Sequence, residues 1–329
     1  MNNTMERKYL PFEKPLEAME KELAQLQARK QETFADNQAE IVRLQQKLSE
    51  TTRQIFSSLT PWQKVQLARH PNRPHALDYI NAIFEEFIEL HGDRVGADDP
   101  AIIAGLAKFE GTSLVVIGQQ KGRDTKENLT RKFGMAHPEG YRKARRLMAL
   151  GEQLHLPVIT LIDTPGANPD MAAEERGQAL AIASNLQHMA GLRTPILVVV
   201  IGEGGSGGAL GIGLGDRVLM QEYAIYSVIS PEGCASILWK NQQAVEDAAR
   251  ALKLTAPELL QLGIIDEVVP EPPGGAHRDP AKAAEVLAKA MRKHLTELKT
   301  ISLEELVELR YQKYRKMGVF REISTTAET

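Results

Sequence analysis

The sequence predicts an α/β fold of repeated strand–strand–helix units behind an N-terminal helical hairpin. Three observations predict it. Short β-branched runs without polar alternation, Pro157–Asp163 and Pro195–Gly202, fit strands buried on both faces. Helices open with a capping residue and an early proline, at Thr60-Pro61, Ser230-Pro231 and Thr255-Ala-Pro257. Paired strands precede a helix, whereas a doubly wound sheet alternates strand and helix one by one.

Taken in order, Pro15 to Leu59 is Gln, Glu, Lys, Leu and Ala with almost no glycine. Leu16, Met19, Leu23 and Leu26 keep a heptad spacing, as do Ile41, Leu44, Leu48 and Ile55. Ala35-Asp-Asn-Gln38 interrupts the register, so two helices folded into a hairpin are expected over 1–59. A short helix starts at Thr60-Pro61-Trp62. Leu77, Ile80, Ile83, Phe84, Phe87 and Ile88 predict one amphipathic helix ending near His91-Gly92-Asp93. Ala101–Phe109 and Ser113–Gly118 read as a hairpin across Glu110-Gly111-Thr112. Lys121–Arg146 carries nine Lys or Arg against Asp124, Glu127 and Glu139, with a helix starting at Pro138. Such a run reads as a solvated face or as a surface for phosphates or an acidic partner. After the strand at Pro157–Asp163 comes the loop Thr164–Asn168, then one long helix over Ala172–Ala190. Strands follow at Pro195–Gly202, Asp216–Met220, Ala224–Ile229 and Ile264–Val269. Helices follow at Ser230, Ala244–Leu254, Thr255, Pro280–Leu298 and Ser302–Lys316. The expected division is an arm (1–59), a main domain (60–299) and a C-terminal helix and tail (300–329).

At 329 residues the chain can bury a large core, and its net charge of −3 gives no reason to expect nucleic-acid binding. The single cysteine, Cys234, excludes an internal disulfide and a multi-cysteine zinc site, and suits a reducing compartment. No apolar run approaches the ~18 residues of a membrane span, and the amino end lacks a signal peptide's apolar core. A soluble, cytoplasmic protein is expected.

Glu203 to Gly213 holds six glycines just after a buried strand. Each costs a helix interior about 1 kcal/mol against alanine, so the stretch trades local stability for close backbone approach. Four readings fit it. Gly202-x-Gly204-x-x-Gly207 matches a dinucleotide fingerprint with Glu222 as the ribose-binding acid, although Ala209–Gly215 would make a poor helix. Gly204-x-Ser206-x-Gly208 matches a nucleophile elbow, with Asp266 and His277 the reasonable downstream partners. A tight structural turn is the third reading, and an oxyanion hole of backbone amides the fourth.

Several longer motifs stand together: Asp163-Thr-Pro-Gly-Ala167, Ala173-Glu-Glu-Arg-Gly-Gln178, Gly202–Gly213, Tyr226–Lys240 and Pro272-Pro-Gly-Gly-Ala-His-Arg278. In these, and along nearly its whole length, the chain resembles the α subunits of bacterial acetyl-coenzyme A carboxylase carboxyltransferases. The resemblance implies a crotonase-like spiral of ββα units and an α2β2 heterotetramer with a β subunit that bears a four-cysteine zinc ribbon. It implies transfer of a carboxyl group from carboxybiotin, presented on the biotin carboxyl carrier protein, to acetyl-CoA. Malonyl-CoA forms, the first committed step of fatty-acid biosynthesis. ATP is used by the biotin carboxylase partner, and no metal is expected on this chain.

That chemistry leaves negative charge on the biotin ureido oxygen, which the amides of Gly204 and Gly205 are expected to hold. Gly205→Val is then expected to abolish transfer with assembly intact. Gly166 and Ala167, in a second loop of like design, together with Gly207 and Gly208, are expected to line the substrate site. Asn168 and Asp170 stand where relatives commonly carry tyrosine and glycine, so the loop's implied contribution is its backbone. Alternatives are a CoA-thioester hydratase or hydrolase of the same fold, acting without a second polypeptide, a serine hydrolase, and a non-catalytic scaffold.

Overall fold

A computed structural model describes residues 8–28 and 34–319. The arm is two helices packed on each other, α1 (Lys14–Ala28) and α2 (Phe34–Ser57). The expected interruption at Ala35–Gln38 lies inside α2, and residues 29–33, between the two helices, lie outside the described residues. Buried Leu16 and Phe56 anchor the arm on Leu67 and Tyr223 of the body.

The body continues with α3 (Pro61–Ala68), α4 (Ala76–Ile83), β1 (Glu85–Glu89), β2 (Ile102–Phe109) and β3 (Thr112–Gln119). Then come α5 (Thr125–Thr130), α6 (Pro138–Gln153), β4 (Val158–Thr164), α7 (Met171–Glu175), α8 (Gln178–Gly191) and β5 (Ile196–Gly205). The remainder is α9 (Ser206–Leu210), β6 (Arg217–Gln221), β7 (Ile225–Ser227), α10 (Pro231–Cys234), α11 (Val245–Ala251), α12 (Ala256–Gln261), β8 (Glu267–Val269), α13 (Pro280–Leu298) and α14 (Leu303–Arg315). The strands form one sheet in the order β1-β2-β3-β4-β5-β6-β8. β1 to β3 are antiparallel and the rest parallel; β5 pairs with β6 through Leu197–Val200 and with β7 through Glu203–Gly205.

Both sheet faces are covered, which is why the central strands read as unbroken apolar runs. Val158, Ile162, Val198 and Val200 meet Tyr141, Leu147 and Met189 from α6 and α8. The alternate residues Ile159, Leu161, Leu197 and Val199 meet Ile80 of α4 and Leu287 and Met291 of α13.

Two expectations fail for tertiary reasons. The helix over Leu77–Ile88 stops at Ile83, and Phe87 and Ile88 belong to edge strand β1. A Cβ at Gly105 of β2 would fall on the Ile88 carbonyl, so glycine there admits β1 at close range. The long helix over 172–190 breaks between α7 and α8 at Gly177, whose φ of 82° is the left-handed geometry that ends helices.

Several cations of the basic run pair within the chain: Arg123 with Asp78, Arg131 with Glu127, Arg142 with Asp93, and Lys143 with Asp98 at 2.6 Å. Much of the run therefore braces the 91–99 segment. Arg310 does similar work for α14: buried, it chelates Asp216 at 2.8 and 2.9 Å and donates to the carbonyls of Met189, Leu192 and Thr194.

Candidate functional site

Adjacent parallel strands β4 and β5 deliver their loops side by side, Pro165–Ala167 next to Gly204–Gly208. Glycine is required where they meet. A Cβ on Gly205 would coincide with the Pro165 carbonyl and lie 2.9 Å from Gly166 N; one on Gly208 would strike the Gly166 backbone. On Gly204 it would stand 2.7 Å from the Tyr226 ring, whereas on Gly207 it would meet only Ile182 Cδ1, at 3.6 Å. A side chain at 205 therefore points into the neighbouring loop, so Gly205→Val would displace Pro165 and would not leave its surroundings intact.

Five of the expected site residues gather at this junction with distinct surroundings. Gly204 is buried within β5, in register with Thr164 on one side and Tyr226 on the other, and Gly205 is half-buried at the strand's end. Gly166 N–H donates to Thr164 Oγ1 at 3.1 Å, and that hydroxyl donates back to Gly166 O at 2.6 Å. Ala167 is half-buried, and its N–H meets no acceptor among the described residues. Gly208 is buried, with its carbonyl accepting from Gln119 Nε2 at 2.7 Å. The sixth, Gly207, opens with Ser206 onto a cavity of about 440 Å³ whose other walls include Leu210, Leu214, Tyr226, Val228 and Leu259. Asn168 and Asp170 serve structure: Asn168 Oδ1 accepts from Asp170 N, and Asp170 caps α7 and bonds His137.

On the other side of the junction lies a polar cavity of about 360 Å³, lined by Arg69, His75, Lys121, Arg123, Pro165 and Glu203 among others. Beneath it is an ion network that sequence reasoning did not single out. Lys121 Nζ lies 2.7 Å from both Asp163 and Glu203, and Arg69 reaches Glu203 at 2.6 Å and Glu232 at 2.5 Å. Burial alone would raise the Glu203 carboxyl, but Lys121 and Arg69 outweigh it and hold it down to about 2. Burial pushes the neighbouring His75 down to about 4, so it is neutral at pH 7. The available signal was position: Asp163 and Glu203 are polar residues at the ends of otherwise apolar strands.

The nucleophile-elbow reading finds part of its geometry. Ser206 is exposed and left-handed, with φ of 49°, at a sharp strand-to-helix turn. It has no relay, because Asp266 is tied to Val218 N and Lys313, while His277 faces Glu13 at 3.2 Å. Glu13, His70 and His277 are also the His–carboxylate group whose ligand atoms fall within 4.8 Å of one another among the described residues. His70 Nδ1 accepts Asn72 N–H at 3.1 Å, so its Nε2 carries the hydrogen and donates to Lys8 O at 3.2 Å. In that tautomer Nε2 offers no lone pair and the Nδ1 lone pair is taken by Asn72 N–H, so the group serves as a hydrogen-bonded seam between arm and body.

Solved structures share the fold. A Pseudomonas malonate decarboxylase hetero-tetramer in complex with coenzyme A aligns over 71% of this chain and 91% of its own, with a TM-score of 0.57 and 13% identity. Transcarboxylase 12S aligns over 64% of this chain and 41% of its own, with a TM-score of 0.51 and 20% identity. The shared fold is the crotonase-like one that the motifs imply. Among curated relatives, the acetyl-coenzyme A carboxylase carboxyl transferase subunit alpha of Methylococcus capsulatus is 54% identical over 321 residues, covering 98% of this chain and all of its own. The subunit of the same name from Thermus thermophilus is 54% identical over 313 residues, covering 95% and 99%. Residues 9–318 match the model for acetyl co-enzyme A carboxylase carboxyltransferase-like proteins, and the chain belongs to that family.

Proposed function

We propose that this chain is the α subunit of the carboxyltransferase component of acetyl-CoA carboxylase, and that backbone amides at the β4–β5 junction hold the anions formed in transfer. The carboxyl group passes from carboxybiotin on the biotin carboxyl carrier protein to acetyl-CoA, giving malonyl-CoA. ATP is consumed by a separate biotin carboxylase, and the setting is the cytoplasm. One observation carries the site assignment: two loops meet so closely that only glycine fits at 205 and 208, beside an Ala167 N–H with no acceptor among the described residues.

Carboxybiotin, when bound, supplies the carboxyl group and leaves negative charge on its ureido oxygen. Gly205, at the end of β5, presents its N–H to that oxygen with Gly204 behind it in the strand, while Gly166, Ala167, Gly207 and Gly208 line the space for substrate. Fixed peptide dipoles need no reorganisation as charge develops, and losing one such donor costs about 3–4 kcal/mol. The catalytic base is not assigned to this chain, since the carboxylates nearest the junction, Asp163 and Glu203, are held in ion pairs with Lys121. A second polypeptide, a zinc-ribbon β subunit in an α2β2 assembly, would hold the CoA thioester. Exposed Val228, on the cavity wall beside Ser227, and exposed Ile237, Leu238 and Trp239 after α10 support a covered surface on this chain.

The test is mass spectrometry of acyl-CoA products with and without the co-purified partner. It is joined to replacement of the Gly205 and Ala167 peptide N–H by an ester oxygen through glycolic or lactic acid incorporation. Malonyl-CoA formation only with the partner, falling about 10²- to 10³-fold in the Gly205 ester, is the expected result. Undiminished transfer in that ester would overturn the assignment. Hydration or hydrolysis of CoA thioesters by the isolated chain would favour the alternative chemistry.

A further inference from the structure

We infer that Lys121, together with Gln119, is a positioning residue for the transfer: from the end of β3, the two brace the loops of β4 and β5 at a fixed spacing. The inference rests on the amide reading given above and adds the device that holds those amides in place.

Three neighbouring strands end in one buried cluster. Lys121 Nζ bridges the Asp163 carboxylate, at the end of β4, and the Glu203 carboxylate, near the end of β5, each at 2.7 Å. Gln119 makes a parallel bridge through its amide: Oε1 accepts Asp163 N–H at 3.1 Å and Nε2 donates to Gly208 O at 2.7 Å. Asp163 Oδ1 closes the frame by accepting Glu203 N–H at 3.0 Å, which fixes the Gly202–Glu203 peptide. Gly202 is part of the same frame, since a Cβ there would fall on the Asp163 carboxylate. Gln119, Asp163 and Glu203 are all buried, and the Lys121 side chain is 14% exposed.

Ordinary ladder bonds already join β4 to β5 through Val158–Ile162. The added bridges act at the register shift between Ile162 and Thr164, where β4 and β5 approach the two loops. Around Lys121 the other charged or titratable groups are Arg69 after α3, Arg73 and His75 before α4, Arg123 before α5, and Glu232 on α10. Arg69 shares Glu203 with Lys121 and also pairs with Glu232, and Arg123 pairs with Asp78, so Lys121 is the cation that spans both Asp163 and Glu203.

The test uses the chain co-expressed with its partner, run in reverse: transfer from malonyl-CoA to free biocytin, with kcat and both KM values measured. Lys121→Met is expected to lower kcat about 10²-fold, the scale of a loop misplaced by about 1 Å, with KM for malonyl-CoA within about threefold of the parent. Lys121→Met combined with Asp163→Asn removes the orphaned charge and keeps an acceptor for Glu203 N–H, so it should recover at least about tenfold of the lost kcat. If Lys121→Met fails to assemble, neutral Gln119→Leu decides, with an expected loss of about tenfold or more in kcat at unchanged KM for malonyl-CoA. Parental kcat in Lys121→Met, or in Gln119→Leu, overturns the brace. So does a loss that the Asp163→Asn partner change fails to relieve. If the Gly205 ester keeps full activity, the amide reading falls regardless of Lys121; if the ester is crippled while the Lys121 and Gln119 variants are not, the brace alone falls.

Discussion

Gly205→Ala isolates what the glycines at the junction are for. The new methyl group would coincide with the Pro165 carbonyl and stand 2.9 Å from Gly166 N. Ordinary carbon–oxygen contacts are about 3.3–3.6 Å, so the Pro165 carbonyl must retreat by about 1 Å. Overpacking of that kind costs about 1–3 kcal/mol of stability. A reacting group misplaced by about 1 Å costs about 10²-fold in rate. Gly207→Ala is the control, because its methyl meets only Ile182 Cδ1 at 3.6 Å, an ordinary contact. Alanine is also the better residue in a helix by about 0.5–1 kcal/mol, so this variant should melt no lower than its parent. The assay is malonyl-CoA formation by the co-purified assembly, with thermal melts alongside. Equal kcat in Gly205→Ala and its parent would refute the reasoning, and so would equal damage from the two substitutions. In either case loop spacing would not be what demands glycine at 205.

Other outcomes follow from the same geometry. Ser206→Ala should transfer at close to the parental rate, and a fluorophosphonate should leave Ser206 unlabelled, since no imidazole among the described residues is bonded to its hydroxyl; labelling there would revive the hydrolase reading. Arg310→Met strands a buried Asp216 carboxylate and should destabilise the chain by about 3–5 kcal/mol in urea melts, with the Arg310→Met, Asp216→Leu pair less affected. Acid should weaken the seam between arm and body through two groups of the same sign. Burial and the neighbouring His277 hold His70 down to about 4, so the unfolded chain takes its proton near 6.5 first; stability should fall by about 3 kcal/mol as pH drops from 6.5 to about 4. Burial opposes the charge on Glu13, but bonds from His277 and Leu10 N–H leave its carboxyl below the usual range, so its contribution is also lost on acidification. Urea melts of the parent and of His70→Asn across that range check this, and the variant should lose the His70 share of the slope.

The sequence by itself determined the local pieces. Capping residues placed the starts of α3, α10 and α12, and Pro280–Leu298 is helix α13 from end to end. The β-branched runs marked β4 and β5, and the glycine density marked the β5 end as a place of close backbone approach. These are nearest-neighbour properties, set by dihedral preference and by burial of an unbroken apolar run.

Tertiary structure decided the rest. Phe87 and Ile88 fit a helical face in sequence, yet the free edge of β2 and the gap at Gly105 draw them into a strand. The basic run looked like an outward face, but its partners lie far along the chain, at Asp78, Asp93, Asp98, Asp163 and Glu203. Gly205 reads in sequence as space for a ligand; in three dimensions it is also space for Pro165. Gln119, Lys121, Asp163 and Glu203 carry no local signature that joins them. Only the parallel order β3-β4-β5 brings their strand ends together, because ion pairing and loop contact depend on distance through the fold and not on spacing along the chain.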